Sequence, residues 1–450
     1  MNRISKFFLP IKAVHVPSAN TSAKKSGSEL TSKSQKLLIN LGLIEQSSNG
    51  CFFLLPFAQR SVDKVIKVIN EEFADIGAGK ISIPCLTQSS LWKKTGRFDE
   101  NVGELYHVRN RHDKQFIMSP THEESITHLL SSIPPLSHKQ LPLLLYQISS
   151  KFRDELKPRF GLIRSNEFLM ADLYSFDKSP EAAEETYNHV RTTIKHIFKR
   201  LGMFVTEVKG DAGMMGGDCS HELHVLADIG DDSIQHCSTC DYAANKSLGD
   251  AHTCNQCKSS NLKEHKGIEV AHSFLLGEKY SKPLTASFRN ADNKLVPFVM
   301  GSYGIGVSRI ISAATEALST DDGLRWPLPL APFSVCIIPP KEDKNKTDPI
   351  SAVEKVYEAV NKIEDLRGDV ILDDRTNQTI GKRLLDGKKL GFPVIIVFGK
   401  SASEDIPKYE LHDVNKDECH YLELPDLLKY LNEKYSSELT PKSVFVHQFV

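Results

Sequence analysis

The chain carries little net charge and no long hydrophobic run, and each absence excludes a class of protein. Its formal net charge is −1 over 450 residues, so any contact with nucleic acid must come from local basic patches. No stretch of about 18 consecutive apolar residues exists, so the sequence predicts no membrane-spanning helix and no membrane partner. At roughly 150 residues per domain, the length predicts two or three globular domains.

Two motifs, one of zinc proteases and one of dinucleotide-binding proteins, are present only in part. His221-Glu222 lacks the second histidine of a His-Glu-x-x-His zinc protease, because Val225 stands at that position. The glycines around Gly304 lack the third glycine of a dinucleotide-binding fingerprint, because Arg309 takes its place and no βαβ unit surrounds it. The sequence therefore excludes a zinc protease of this type and a Rossmann-type dinucleotide site.

Acidic residues are missing from residues 1–28, which contain several serines and a short apolar run, Phe7–Ile11. The basic residues of this segment are Arg3, Lys6, Lys12, Lys24 and Lys25. A basic, serine-containing start without acids is typical of an organelle transit peptide. The apolar run is too short for a secretory signal, so we expect a mitochondrial matrix protein; a disordered tail is the alternative.

Four of the nine cysteines are grouped, and an intracellular location argues against a disulfide framework. They form two Cys-x-x-Cys pairs separated by residues 241–253, namely Cys237, Cys240, Cys254 and Cys257. Each pair can place two thiolates on one metal, as in a four-thiolate zinc ribbon. We therefore predict a structural Zn²⁺ site in an insertion at residues 237–257, with reduced, unliganded thiols as the alternative.

A cluster of basic residues lies between two predicted strands, 141–148 and 167–176. It contains Arg153, Arg159 and Arg164 around a Pro-Arg-Phe-Gly turn, with Glu155 among them. Guanidinium groups bind triphosphate and carboxylate oxygens through paired hydrogen bonds. Because these charges lie between core-like strands, we interpret the cluster as an anion-binding site above a sheet rather than as a solvated face.

Other segments have clear secondary-structure signals. Helical spacing of apolar residues predicts a helix at 60–76, followed by a short strand at 80–84. Ser179-Pro180 predicts the start of a helix that ends at Gly202, and strands are predicted at 204–208 and 294–300. We expect Thr121 to cap a helix that begins at Glu123, and residues 301–306 to form a glycine-rich turn before a helix at 307–318.

A proline-rich hinge at residues 326–332 predicts a boundary before a second domain of alternating strands and helices. Its predicted strands are 333–338, 369–372 and 394–398, and its predicted helices are 353–366, 381–390 and 424–435. Charged residues follow two strand ends, where α/β sheets bind ligands: Asp374, Arg375 and Lys400. Residues 436–450 have no predicted role.

Four stretches resemble, in the right order, the signatures of class II aminoacyl-tRNA synthetases of the bacterial prolyl type. They are residues 151–176, Ser119–Glu124, Gly267–His272 and Gly301–Arg309, and the resemblance covers about residues 30–435. It implies an α/β protein with a catalytic domain at 29–325, built on an antiparallel sheet with flanking helices. It also implies a smaller α/β anticodon-binding domain at 333–435, and tRNA(Pro) contacts from Asp374, Arg375 and Lys400.

The resemblance also implies a role for each motif residue. The proline-binding residues would be Thr121, Glu123, Arg153, Ser220 and His221. The ATP-binding residues would be Arg153, Glu155, Arg164, Phe168, Glu222, Glu269, Gly304, Gly306 and Arg309, with Mg²⁺ accompanying ATP. Arg153 and Arg309 would be catalytic, because adenylate formation needs alignment and charge stabilisation rather than a general base.

Three further expectations follow from the resemblance. The helix at 60–76 and the strand after it match a motif that builds a homodimer interface in this family. Only residues 246–266 stand where most bacterial relatives insert an editing domain, so we expect no editing by the chain itself. The alternatives are a threonyl or histidyl ligase and an inactive, nucleic-acid-binding accessory subunit; such subunits lose the phosphate-binding arginines, which are present here.

Overall fold

The computed structural model describes residues 1–12, 31–98, 104–217, 219–240, 242–248, 252–342 and 350–439. None of the helices in these ranges combines the length and the apolar character needed to span a bilayer. The helices are α1 (Lys33–Asn40), α2 (Pro56–Asp75), α3 (Ser89–Thr95), α4 (Glu123–Ser132), α5 (Pro180–Arg200), α6 (Val307–Leu318), α7 (Ile350–Asn361), α8 (Ile380–Leu390) and α9 (Leu424–Leu439).

The strands fall into two principal sheets and three small ones. They are β1 (Asn2–Arg3), β2 (Ile44–Ser48), β3 (Cys51–Leu54), β4 (Gly79–Lys80), β5 (Leu86–Gln88), β6 (Tyr106–Arg109), β7 (Gln115–Met118), β8 (Leu143–Phe152), β9 (Glu167–Asp177), β10 (Thr206–Gly210), β11 (Cys219–Leu226), β12 (Asp232–Cys237), β13 (Ala243–Asn245), β14 (Leu262–Gly277), β15 (Ser287–Arg289), β16 (Leu295–Pro297), β17 (Val299–Ile305), β18 (Val335–Ile338), β19 (Val370–Leu372), β20 (Val394–Val397), β21 (Tyr409–Asp413) and β22 (Glu418–Leu422).

The main sheet, in the first domain, has nine strands in the order β11-β10-β13-β12-β14-β17-β9-β8-β4 and is mostly antiparallel. One face is apolar and is covered by α2, α5 and α6. Because side chains alternate along a strand, every second residue of β8, β9, β14 and β17 points to the opposite face. That opposite face carries the polar residues of the candidate site.

Several helix and strand predictions are confirmed. The helix predicted at 60–76 is α2, which begins four residues earlier at Pro56, and α6 has the predicted bounds. Ser179 caps α5 by accepting a hydrogen bond from the backbone N–H of Ala182. The strand predicted at 80–84 is limited to β4, which pairs with β8 in parallel.

Two local predictions are wrong. Thr121 does not cap α4, because His122 is the capping residue and the Thr121 hydroxyl instead donates to the Glu123 carboxylate. Residues 301–306 are not a turn, because β17 runs through Ile305 and only Gly306 separates it from α6. The glycines fit a strand here because neighbouring side chains lie over them: a Cβ on Gly304 would fall 2.0 Å from the Met170 methyl group.

The C-terminal domain has a six-stranded sheet in the order β1-β19-β18-β20-β21-β22. Its three predicted strands are confirmed as the parallel strands β18, β19 and β20. The antiparallel hairpin of β21 and β22 was not predicted. One apolar cluster continues from the helices of the catalytic domain to Phe333, Ile338 and Val397 of this second domain.

Residues 1–12 belong to this fold. Asn2 and Arg3 form β1, which pairs in parallel with β19, and Ile4 is buried. The Phe7 ring packs edge-on against Phe57 of the catalytic domain and Phe333 of the second domain. The alternative of a disordered tail is therefore wrong for residues 1–12. Residues 13–28, the remainder of the predicted transit peptide, lie outside the described residues.

Candidate active site

A buried carboxylate lies against the polar face of the main sheet. Glu123, in the first turn of α4, is fully buried. It accepts hydrogen bonds from the Thr121 hydroxyl at 2.7 Å and the Ser302 hydroxyl at 2.7 Å. Ser302 projects from the middle of β17, so the sheet and α4 together fix the carboxylate. An anion held this way is suited to bind a substrate ammonium group.

A network of buried polar groups holds the loop that carries Glu123. Asp172 on β9 accepts from Lys151 at 2.7 Å, from Gln147 at 3.1 Å and from Tyr174 at 2.7 Å. The Tyr174 hydroxyl in turn accepts from the backbone N–H of His122. Burial, followed by the charge of Lys151, lowers the pKa of His122 to about 3. The imidazole is therefore neutral at physiological pH, and the loop carrying Thr121 and Glu123 is held rigidly.

A row of polar side chains continues along β14 toward the second half of the site. His272 lies 3.0 Å from the Glu269 carboxylate through Nδ1 and 3.2 Å from the Ser220 hydroxyl through Nε2. Its ring stacks on Phe274 at 3.9 Å. Phe274 and Ser302 are paired on adjacent strands, and Ser302 donates to Glu123, so the row extends from Glu123 to Glu269.

His221 does not belong to this row, which corrects its prediction as a proline-binding residue. Its Nδ1 lies 2.9 Å from the Tyr187 hydroxyl of α5, on the apolar face of the sheet. Ser220 and Glu222 point to the open face because they alternate with His221 along β11. His272, on the neighbouring strand β14, lies next to Ser220, at the position in the row that was predicted for His221.

The predicted arginines lie around the other end of the row. The guanidinium carbon of Arg153 lies 5.2 Å from the centroid of the Phe168 ring. Arg164 donates from Nε to Glu155 at 2.7 Å, and Arg309 donates from Nη1 to the Glu269 carbonyl at 2.7 Å. Arg153 directly follows strand β8, Arg164 lies in the loop between β8 and β9, and Arg309 lies in helix α6.

Electrostatic coupling shows that these groups share one region. Burial lowers the pKa of Arg309, the Glu269 carboxylate opposes that shift, and the nearby positive charge of Arg153 lowers the pKa further. Glu155, the partner of Arg164, also acts on Arg309. Guanidinium groups that share one partly buried region are suited to bind a polyanion.

The two predicted acids differ in their surroundings. Glu222 is nearly buried and already accepts from His224 at 2.7 Å and from Asn245 at 3.1 Å. Burial would raise the pKa of Glu269, but the hydrogen bond with His272 and the charge of Arg309 outweigh it and hold that pKa below the usual range. The Glu269 side chain is partly exposed and faces the arginines, so it is the more accessible anion.

Both predicted glycines border the site. Gly304 lies in β17 opposite Asp172 and His272, with the Met170 methyl group over it. Gly306 precedes α6, and its backbone N–H donates to the carbonyl of Val270. Gly304 therefore permits close packing within the sheet, whereas Gly306 allows the chain to turn from β17 into α6.

The four grouped cysteines converge, as predicted. Their sulfur atoms all lie within 4.8 Å of one another, with Cys237 3.6 Å from Cys257 and Cys240 3.6 Å from Cys254. These separations exceed a disulfide bond length of about 2.05 Å, so the thiols are free. Four sulfurs at this spacing fit a tetrahedral zinc ion.

In the C-terminal domain, two of the three predicted anticodon residues have partners within the chain. Asp374 accepts from the backbone N–H and hydroxyl of Ser5. Arg375 pairs with Asp373 at 2.7 Å and with Asp386 at 3.2 Å. Lys400 begins a short turn after β20 and is exposed.

Three site residues were not singled out from the sequence: Ser302, His272 and Arg97. Ser302 and His272 lie within recognised motifs, but strand pairing in the folded sheet brings them to Glu123 and Ser220. Arg97, whose guanidinium lies within 3.4 Å of Glu123, directly follows the short helix α3 and its terminal Gly96. No local signal places it beside Glu123.

Comparison with known proteins agrees with this geometry. Residues 106–318 match the family model of the tRNA synthetase class II core domain (G, H, P, S and T), and residues 334–434 match the anticodon binding domain. The chain is 45% identical over 407 residues to a rat protein named probable mitochondrial proline–tRNA ligase, covering 90% of this chain and 86% of that protein. The human protein of the same name is 43% identical, with 89% and 85% coverage.

A solved structure confirms the fold. Prolyl-tRNA synthetase from Cryptosporidium parvum, complexed with L-proline and AMP, superposes with a TM-score of 0.72 at 19% sequence identity, covering 90% of this chain and 76% of that one. The fold class predicted from the sequence is thereby confirmed. By its matched domains and its long, closely similar relatives, the chain belongs to the proline–tRNA ligase family of class II synthetases.

Proposed function

We propose that this chain activates proline with ATP to form prolyl-adenylate and then transfers proline to tRNA(Pro). The observation that carries the proposal is that the Glu123 carboxylate and a cluster of three guanidinium groups lie along one row of polar residues. A carboxylate oxygen of proline attacks the α-phosphorus of ATP and pyrophosphate leaves. The protein contributes alignment and charge stabilisation, since the substrate is its own nucleophile.

At the proline end, Thr121 and Glu123 bind the imino nitrogen, which has two hydrogens to donate. Ser302 orients Glu123 and Ser220 lines the pocket beside His272. In this proposal Arg153 binds the proline carboxylate and the α-phosphate and neutralises the charge that develops at phosphorus.

At the nucleotide end, Glu155 accepts from the adenine amino group and Phe168 stacks against the ring. Arg164 and Arg309 hold the outer phosphates, and Gly304 and Gly306 allow close approach of the backbone. Of the two acids, we assign Glu269 to the Mg²⁺ or ribose contact, since Glu222 is already bonded to His224 and Asn245. Mg²⁺ would neutralise phosphate charge beside these residues.

The Cys237, Cys240, Cys254 and Cys257 cluster holds structural Zn²⁺ in this proposal. The site lies at the tip of the β12–β14 hairpin and closes a loop that has little apolar core of its own. A zinc ion would therefore stabilise this insertion rather than take part in catalysis.

The zinc-bearing insertion occupies the place where an editing domain would stand, so we propose that the chain does not proofread. Alanine fits a pocket that admits proline, and missing methylenes give only about 1–3 kcal/mol of discrimination. Misactivated alanine should then persist on tRNA(Pro). Rapid hydrolysis of alanyl-tRNA(Pro) by the purified chain would contradict this.

Three further assignments rest on the family. We propose a homodimer, tRNA(Pro) binding through the C-terminal domain with Lys400 as a contact, and action in the mitochondrial matrix. Asp374 and Arg375 could contact the anticodon only by exchanging their present partners. Residues 1–28 have the composition of an import signal, but removing them would also remove the packed residues 1–12.

ATP–pyrophosphate exchange with a panel of amino acids tests the proposal. We expect exchange with proline, weaker exchange with alanine, and none with threonine or histidine. Exchange with threonine or histidine in place of proline would favour one of the related ligases. Absence of exchange with every amino acid would favour the inactive accessory subunit.

A further inference from the structure

Arg97 lies beside the proposed proline site, and no role has been assigned to it above. It follows α3 directly after Gly96, which ends that helix in a left-handed conformation. Its side chain is 11% exposed, with the guanidinium carbon 4.7 Å from the Trp92 ring and 5.6 Å from the Tyr280 ring. Two aromatic faces therefore fix the position of the positive charge.

The guanidinium group favours one of two adjacent carboxylates. Nη1 lies 3.1 and 3.3 Å from the two oxygens of Glu124, but 3.4 Å from the nearer oxygen of Glu123. Thr95 also donates to Glu124, at 2.9 Å. Glu123 instead takes its short hydrogen bonds from Thr121 and Ser302. Arg97 thus acts mainly as the counter-ion of Glu124.

The same side chain reaches a third segment. Nη2 lies 3.0 Å from the sulfur of Met215, in the glycine-containing turn after β10. The Tyr280 hydroxyl donates to the backbone carbonyl of the same Met215 at 3.1 Å. Arg97 and its aromatic neighbour therefore connect this turn to the loop that carries Glu123.

The charges of this region do not balance without a substrate. Two fully buried carboxylates, Glu123 and Glu124, face one guanidinium group. Another cation acting on the pair, Lys279, is partly exposed and donates to the carbonyl of Met214. Within this group of buried side chains, one negative charge is left over, on Glu123. An unpaired buried charge is costly, so the site favours a ligand that brings a positive charge.

We propose that Arg97 is a positioning residue for proline that acts through Glu124. By neutralising Glu124, it leaves Glu123 with an uncompensated charge directed at the imino nitrogen of the substrate. This inference rests on the proposed function and deepens it, because it explains how two neighbouring acids are divided between a structural and a binding role.

The test is a double-mutant cycle measured by proline-dependent ATP–pyrophosphate exchange. In Arg97→Gln, two like charges are left adjacent, so they share a proton and Glu123 binds proline poorly. In Glu124→Gln, Arg97 turns to Glu123 and competes with the substrate. We expect each single variant to raise KM for proline on the order of 30-fold, the scale of one disturbed buried charge pair. KM for ATP should hardly change.

The double variant Arg97→Gln/Glu124→Gln distinguishes charge pairing from a merely structural role. It leaves Glu123 as the single charge, so KM for proline should fall below that of either single variant. Losses that multiply in the double variant would overturn the proposal, as would an unchanged KM for proline in Arg97→Gln. Lys94→Gln, an exposed change on the same helix, is the matched control.

Two further measurements keep the outcome interpretable. Thermal unfolding of each variant shows whether it is folded, and the isosteric Glu124→Gln change tests the pairing even if Arg97→Gln is unstable. If the unmodified chain gives no exchange with proline, the proposed function fails. If it exchanges normally and the cycle shows no compensation, only the role of Arg97 fails.

Discussion

The carboxyl group of Asp177 is buried at the end of β9, where it accepts a hydrogen bond from Thr186 at 2.7 Å. Burial raises its pKa to about 6, only partly opposed by hydrogen bonds from Thr186 and Ser175. The folded state thus binds this proton more tightly than the unfolded state, whose pKa is about 3.9. Its stabilising contribution is complete below about pH 4 and is lost as the pH rises through 6.

Asp177→Asn should therefore stabilise the protein at pH 8 but not at pH 4. We expect a gain in the free energy of unfolding of up to about 2–3 kcal/mol at pH 8, since the amide avoids burying a charge. Urea unfolding at both pH values measures it, with the exposed Asp405→Asn as the control. An equal difference at the two pH values would contradict the account.

Thr121 and Glu123 belong to one sequence motif, and the structure brings their side chains into contact. The assignment of His221 failed because neighbouring residues of a strand point to opposite faces, and a motif alone does not show which face is open. Arg97 and Ser302 reach Glu123 through the tertiary fold. No pattern of residues near them in the sequence could reveal that contact.

At the scale of elements, periodicity predicted helices α2, α5 and α6 well, because their apolar stripes are long and cover one face of the sheet. Strand β17 was misinterpreted in its second half because glycines usually favour turns. Here Met170 lies over Gly304 and the Tyr303 hydroxyl lies over Gly301. Glycine is therefore favoured at these positions because a larger residue would clash, not because the chain turns. The β21–β22 hairpin was missed because its exposed outer strand has few apolar residues.

The cysteine cluster makes a prediction at this scale. Cys254→Ser should remove one of four zinc ligands, so the purified chain should contain well under one zinc ion per chain. Metal analysis by mass spectrometry measures this, and Cys419→Ser, at an exposed cysteine outside the cluster, should keep its zinc. A chain that contains no zinc when purified from zinc-supplemented medium would contradict the assignment.

For the whole molecule, residues 1–12 connect the two domains. Their composition predicted a transit peptide, with a disordered tail as the alternative, and could not reveal that Asn2 would extend the second sheet or that Phe7 would pack between domains. Such contacts depend on surfaces that only the folded domains provide. The domain order itself was predictable because the four motifs and the proline-rich hinge occur in sequence.

Two adjacent phenylalanines test this role of the N-terminal segment. Phe7→Ala removes a ring that contacts both domains and should lower the free energy of unfolding by roughly 1–3 kcal/mol, less than for a fully buried ring. Phe8→Ala is the matched control, because its side chain is 66% exposed. Thermal and urea unfolding measure both. Equal stability of the two variants would show that residues 1–12 do not secure the domain junction.

The most direct test of the central claim is proline-dependent ATP–pyrophosphate exchange by Arg153→Ala. Arg153 is the guanidinium assigned to both substrates, so its loss should reduce exchange by at least about 100-fold, the effect of removing a group that stabilises developing charge. Arg109→Ala, at an exposed arginine paired with Asp113, should leave exchange near that of the unmodified chain. Exchange retained by folded Arg153→Ala would contradict the assignment of this sheet face as the adenylate-forming site.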